Sequence, residues 1–226
     1  MGAIQVSQLE WKLPSGVELF RDVSFSVGDG DVVALVGADG VGKWTVLRAI
    51  TGETKPTGGT ISIDGRIGVM RQFIGTGADP ARDVRSLLLS LSPDRIQDAA
   101  RRLALAQVDV ERDPMRYAEA LAAWGDAGGY DIEVQWDEAC GRALGGDLDE
   151  VADRPLATLS GGEQKRLALE FLLRGENEIL VLDEPDNYLD VPAKRWLEAE
   201  LRATRKTVLF VSHDRELLAA SASKIV

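Results

Sequence analysis

Cys140 is the only cysteine, so no disulfide can form within the chain, which points to a reducing, cytoplasmic setting. The opening MGAIQVSQLE lacks a basic stretch followed by an apolar one, which leaves no visible secretory signal. No uninterrupted apolar run approaches the ~20 residues a bilayer-crossing helix needs, which excludes direct membrane insertion. Positive charge is also short: 26 Lys and Arg face 37 Asp and Glu, a net charge of -11 that argues against binding nucleic acid by charge alone. What remains is a 226-residue chain, 45% hydrophobic, with ample material for one buried core or a core carrying an inserted subdomain.

The pattern along the chain changes twice. IQVSQLEW and DVSFSV alternate as half-buried strands do, whereas DVVALVG is a continuous apolar run suited to a central strand. VGKWTVLRAITG then reads as a helix closing on Gly52, and GTISIDG and RIGVMRQ return as short strands. From Phe73 to Leu159 the texture is helical. SPDRIQDAARRLALAQ offers Ser92 as a cap and Pro93 at the first helical position, with Ile96, Ala99, Ala100 and Leu103 on one face. Trp136, Ala139, Cys140, Ala143 and Leu144 keep helical spacing, and GDAGGY at 125–130 breaks two helices apart. The tail reverts to helix and strand in turn: GGEQKRLALEFLLRG, EILVLDE, VPAKRWLEAELRA and TVLFVS.

Chemistry concentrates first in GADGVGKWT, residues 37–45. A strand-to-helix junction with Gly37, Gly40 and Gly42 turns backbone N–H groups into one concavity, and the helix N-terminus adds partial positive charge, so phosphate oxygens fit. Lys43 would reach the terminal phosphates, but the G-x-x-x-x-G-K-[ST] pattern then needs a hydroxyl for Mg²⁺, and Trp44 stands there instead. Taken alone, the stretch is also compatible with a glycine-rich turn that binds nothing.

Four further pieces arrive in order: VMRQ ending at Gln72, TLSGGEQKRLALE over 158–170, ILVLDEPDNYLD over 179–190, and VLFVSHD over 208–214. Together with the glycine loop they resemble the ATP-binding cassette (ABC) family over nearly the whole chain. LSGGEQ, DEPDNYLD and SHDR are most similar to the first nucleotide-binding domain of its F-type (ABC-F) members, which lack membrane domains and many of which act on ribosomes. Asp186 and Tyr188 depart from the more usual Thr and His of that subfamily.

The resemblance implies a P-loop NTPase-type α/β fold, with residues 1–72 and 160–226 as the nucleotide-binding core and 73–159 as an inserted helical subdomain. It implies ATP held by Gly37, Asp39, Gly40, Val41, Gly42, Lys43, Trp44 and Thr45, with Trp11 stacking on adenine. Four apolar residues before Asp183 and Glu184 form a buried strand that delivers two carboxylates to its carboxyl end, where open α/β sheets bind ligands. There Asp183, with Gln72, would hold Mg²⁺, and Glu184 would activate water, helped by Gln72 and by His213, the only histidine. Ser160, Gly161 and Gly162, which also fit a helix-capping box with Glu163, would act on ATP held by a second cassette, with Asp190 at the interface.

That partner would lie in the same full-length chain, beyond Val226, or in a homodimer, and contacts to a ribosome would come from regions outside this chain. The implied activity is ATP hydrolysis in a translation or ribosome-protection factor, weak in this chain because of Trp44 and the missing cassette. A transporter ATPase subunit and a non-catalytic ATP-binding module are the alternatives. Recovery of ribosomes or of an integral membrane protein in a pulldown separates the first two, and nucleotide titration with and without Mg²⁺ tests the third.

Overall fold

Two kinds of strand pattern become two kinds of sheet. The computed structural model describes residues 2–72 and 83–226. In chain order it contains β1 (Ala3–Lys12), β2 (Glu18–Val27), β3 (Val32–Ala34), α1 (Lys43–Ile50), β4 (Gly58–Asp64) and β5 (Ile67–Met70). Then come the helices α2 (Val84–Leu91), α3 (Asp94–Val108), α4 (Pro114–Asp126), α5 (Gly129–Leu144), α6 (Leu148–Val151), a 3₁₀ turn at Leu156–Thr158, and α7 (Gly161–Arg174). The remaining elements are β6 (Ile179–Asp183), α8 (Val191–Ala203), β7 (Thr207–Val211), α9 (Arg215–Ser221) and β8 (Lys224–Ile225).

The alternating segments pair antiparallel in the order β2-β1-β4. The continuously apolar ones form a parallel sheet in the order β5-β6-β7-β3-β8, in which β3, β6 and β7 are buried at every residue. Such burial suits parallel strands covered on both faces. Val46, Leu47 and Ile50 of α1 join Ile4, Val181 and Leu209 in one core, each large aliphatic side chain contributing about 1.5–3 kcal/mol by leaving water. Because neighbours in this sheet run the same way, the carboxyl ends of β3, β5, β6 and β7 share one edge, the edge at which such sheets bind ligands.

Where β4 meets β1 the register slips between Ser7 and Glu10, and Gly59 sits at a φ of +83°. A Cβ on Gly59 would lie 2.3 Å from the Gln8 carbonyl oxygen, a backbone atom that cannot swing aside. Gly59→Ala is therefore expected to cost about 2 kcal/mol or more, read as a lower urea midpoint. An unchanged midpoint would show that the bulge absorbs the methyl group.

The chain divides into two compact units, Met1–Ile74 with Gly175–Val226, and Gly75–Arg174. The first is the α/β unit just described. The second is helical, and it includes α7, so the α/β unit resumes at 175 rather than at the expected boundary of 160. The first residues of the expected helical insert, 73–82, lie outside the described residues.

Within the helical unit α5 packs on α7 and α3 on α4. Trp136, Ala139 and Cys140 are buried as their spacing predicts, and burial pushes the Cys140 thiol up to about 11. Trp124 lies against Trp136, ring centroids 6.3 Å apart. Ser92 does not cap α3. It ends α2, where its hydroxyl donates to the Leu88 carbonyl and accepts from the Trp136 indole, and Pro93 takes the cap position of α3.

Candidate functional site

The loop between β3 and α1 is built to leave N–H groups exposed to a ligand. Beyond β3 the ladder continues, Leu35 N–H donating to Phe210 O and Val36 N–H to Val226 O, both at 2.8 Å. The chain then turns through Gly40 (φ 77°) and Gly42 (φ 107°), and Gly42 caps α1 with no side-chain hydrogen bond. α2, α4, α8 and α9 each spend an Asp side chain on their first N–H groups. The N–H groups opening α1 have no such cap among the described residues, and they carry the positive end of the helix dipole. A Cβ on Gly42 would lie 2.9 Å from the Phe20 ring, so only glycine fits this turn.

Lys43 curls back over the loop, its Nζ donating to the carbonyls of Gly37 (2.7 Å) and Ala38 (3.0 Å) and lying 3.8 Å from Asp39 Oδ1. Its side chain is only 11% exposed, so the ammonium is held at the mouth of the concavity. The chemistry of this donor set fits a phosphate group. Trp11 pairs across the sheet with Phe20, whose ring walls Gly42.

At the sheet edge, Asp183 ends β6 and is 7% exposed. Glu184 comes next at a φ of 46°, a left-handed conformation that L side chains rarely adopt, while its N–H continues the ladder to Val211 O at 2.9 Å. The turn aims the carboxylate at three partners. Gln72 Nε2 donates to Oε2 at 2.5 Å, Asn187 Nδ2 donates to the same oxygen, and His213 Nε2 lies 3.6 Å from Oε1. His213 Nε2 also lies 3.4 Å from Asp39 Oδ1 of the glycine loop. Gln72, Asp39, Glu184 and His213 thus converge from the ends of β5, β3, β6 and β7. Asn187 was not singled out by the sequence, though its place three residues after Glu184 in a tight turn is where a side chain can reach back.

Trp44 is 53% exposed, and its ring lies under the Arg48 guanidinium, 4.4 Å from the centroid, an i,i+4 cation–π pair along α1. Trp44 and Asp183 line one pocket, with Met70, Arg71 and Glu53 among its other lining residues. Thr45 does not line that pocket. For a metal the donor set is thin: among the described residues no group of three His, Cys, Asp or Glu side chains is placed to hold an ion.

Two of the expected site residues act as caps in this structure. Ser160 and Glu163 form the reciprocal box that begins α7: Ser160 N–H donates to Glu163 Oε2 at 2.7 Å and Glu163 N–H to Ser160 Oγ at 3.2 Å. The Ser160 backbone and hydroxyl together lower the Glu163 carboxyl below its usual range. Asp190 caps α8, accepting from Ala193 N–H at 2.9 Å. Gly161 and Gly162 open α7 in the helical unit.

A family model described as "ABC transporter" matches residues 20–187, well over half the chain. The chain belongs to the ABC family. The cassette is 50% identical over its full length to an "Antibiotic resistance protein" of Mycobacteroides abscessus, of which it covers 42%. It is 31% identical, over 88% of the chain and 36% of the relative, to "Energy-dependent translational throttle protein EttA" of Mycobacterium tuberculosis. The cassette thus spans about two fifths of the length of these relatives. Among solved structures it is similar to an inward-facing metal-chelate type ABC transporter, with a TM-score of 0.68 at 21% identity, covering all of this chain and 79% of that one. That likeness shows the α/β cassette fold. No helix among the described residues is long and apolar enough to cross a membrane.

Proposed function

We propose that this cassette holds ATP with its triphosphate on residues 37–45 and, within an intact two-cassette protein, hydrolyses it. The observation that carries the reading is the carboxylate of Glu184, held by Gln72 and Asn187 and faced by His213 at the sheet edge beside the uncapped start of α1. Loop N–H groups and Lys43 bind the phosphate oxygens. Water bound between Glu184 and the γ-phosphate loses a proton to a Glu184 oxygen as its own oxygen attacks phosphorus in line. The bond from phosphorus to the β–γ bridging oxygen breaks, leaving ADP and phosphate. His213 orients the water and the γ-phosphate oxygen, and Gln72 fixes the base. Mg²⁺, when bound, would neutralise charge on the phosphates, and Asp183 and Gln72 are the side chains that would hold it.

The second cassette, supplied by the same full-length chain or by a homodimer, would place its own signature on this ATP, as Ser160, Gly161 and Gly162 would serve the other site. The relatives named for antibiotic resistance and translational throttling, together with the F-type motifs, support a cytoplasmic translation or ribosome-protection factor that touches the ribosome through regions outside this chain. Closure of the two cassettes would then be used mechanically.

Because half of each site comes from a partner, this chain alone should be a weak ATPase wherever it is monomeric. Turnover per chain should fall on dilution through the dimerisation range. Constant turnover per chain in a preparation shown to be monomeric by light scattering would sink the paired-site reading.

A further inference from the structure

The turn that carries His213 is anchored to a lysine of α8. Lys194, on the first turn of α8, donates from Nζ to Asp214 Oδ2 at 2.7 Å. Asp214 directly succeeds His213. Its other oxygen, Oδ1, accepts from the N–H groups of Glu216 and Leu217 and so caps α9, while its own N–H donates to Ser212 Oγ at 2.9 Å. The cap and the lysine use different oxygens, so the cap does not require the lysine.

The charge of a second acid also acts on this lysine. Asp186, two residues past Glu184, is 5% exposed, and its Oδ1 is buried with no hydrogen-bond partner among the described residues. A buried carboxylate needs compensating charge. Lys194 is held above the usual lysine range first by its bond to Asp214 and then, against the cost of burial, by the charges of Asp214, Asp186 and Glu216. Asp214 is correspondingly held below the usual carboxylate range, first by Lys194. The two directions agree.

We propose that Lys194 is a positioning residue that ties the His213–Asp214 turn to α8 and thereby fixes the imidazole of His213 opposite Glu184. The proposal rests on the assignment of Glu184 and His213 to the hydrolytic site. It predicts that losing the lysine loosens His213 while leaving α9 capped.

His213 is the only histidine, so its Cε1–Hε1 group gives a single histidine signal of that kind in a carbon-edited proton NMR spectrum, without nucleotide or turnover. Glu184→Gln should displace that signal, because Glu184 Oε1 lies 3.6 Å from the ring nitrogen. In a Lys194→Met background the displacement should fall to about half or less, the sign of lost coupling between neighbours. Lys194→Arg, which keeps a cationic donor, should restore most of it. Asp214→Asn, which keeps a cap acceptor for α9 but removes the charge that holds Lys194, should reproduce the loss even if Lys194→Met does not fold. A full Glu184 response in both Lys194→Met and Asp214→Asn overturns the positioning role alone. No response to Glu184→Gln in the parent chain overturns the His213–Glu184 contact, and the hydrolytic assignment with it.

Discussion

Trp44→Ser is expected to turn a weak nucleotide binder with little Mg²⁺ dependence into one that binds Mg²⁺·ATP at least about tenfold more tightly, a gain of about 1.4 kcal/mol. The phosphate-facing parts of the loop are in place in the parent: the uncapped N-terminus of α1, Gly42 in its left-handed turn, and Lys43 at the mouth. What Trp44 removes is the oxygen ligand next to the lysine. Thr45 cannot replace it, because one residue along a helix turns the side chain by about 100°. Water often fills a vacant Mg²⁺ position, but here the indole lines the same pocket as Asp183, and Arg48 stacked on its ring holds it there. Steric exclusion is therefore added to ligand loss. Calorimetric titration of both forms with ATP, with and without Mg²⁺, measures the effect. Equal affinity for Mg²⁺·ATP in the two forms would show that the loop accommodates the ring.

Glu184→Gln should have the largest effect on chemistry. In the complete two-cassette protein carrying Trp44→Ser, it should lower the single-turnover rate at this site by roughly two to four orders of magnitude while ATP stays bound. The amide still offers an oxygen to Gln72 and Asn187, so the local hydrogen bonds survive while the proton acceptor is lost. Rapid-quench measurement of the first turnover reads this directly. An unchanged rate would mean that another group takes the proton.

The strands were legible because their two burial regimes leave different marks. IQVSQLEW and DVSFSV alternate because one face of β1 and β2 is wetter than the other, whereas VVA, ILVLD and TVLFV are apolar almost throughout because the parallel sheet is covered on both faces. Composition does not say which strand joins which sheet: β4 and β5 are separated only by a turn at Gly65, yet they belong to different sheets. Ser92 shows where local reading fails. A Ser-Pro pair ahead of an apolar-periodic run looks like a helix start, but the serine ends the preceding helix and takes a hydrogen bond from Trp136, 44 residues away. That contact has no local signature. At the site, the glycine loop, the adjacent acids and the histidine could be read from their place after strands, which is a matter of chain order. The Asn187 bond, the Trp44–Arg48 stack and the Lys194 anchor depend on how side chains meet after folding.

The left-handed backbone of Glu184 puts two demands on one position in opposition. A residue with a Cβ held there raises the energy of the folded chain by about 1–2 kcal/mol, which glycine would not. Backbone strain alone favours glycine, but glycine would leave the Gln72 and Asn187 amides without the oxygen they donate to. A stability-guided redesign of this cassette would weigh the strain relieved by glycine against those two bonds. Retention of an acid at 184 then serves as a criterion for sorting relatives that still turn over nucleotide from those that keep the fold for binding alone.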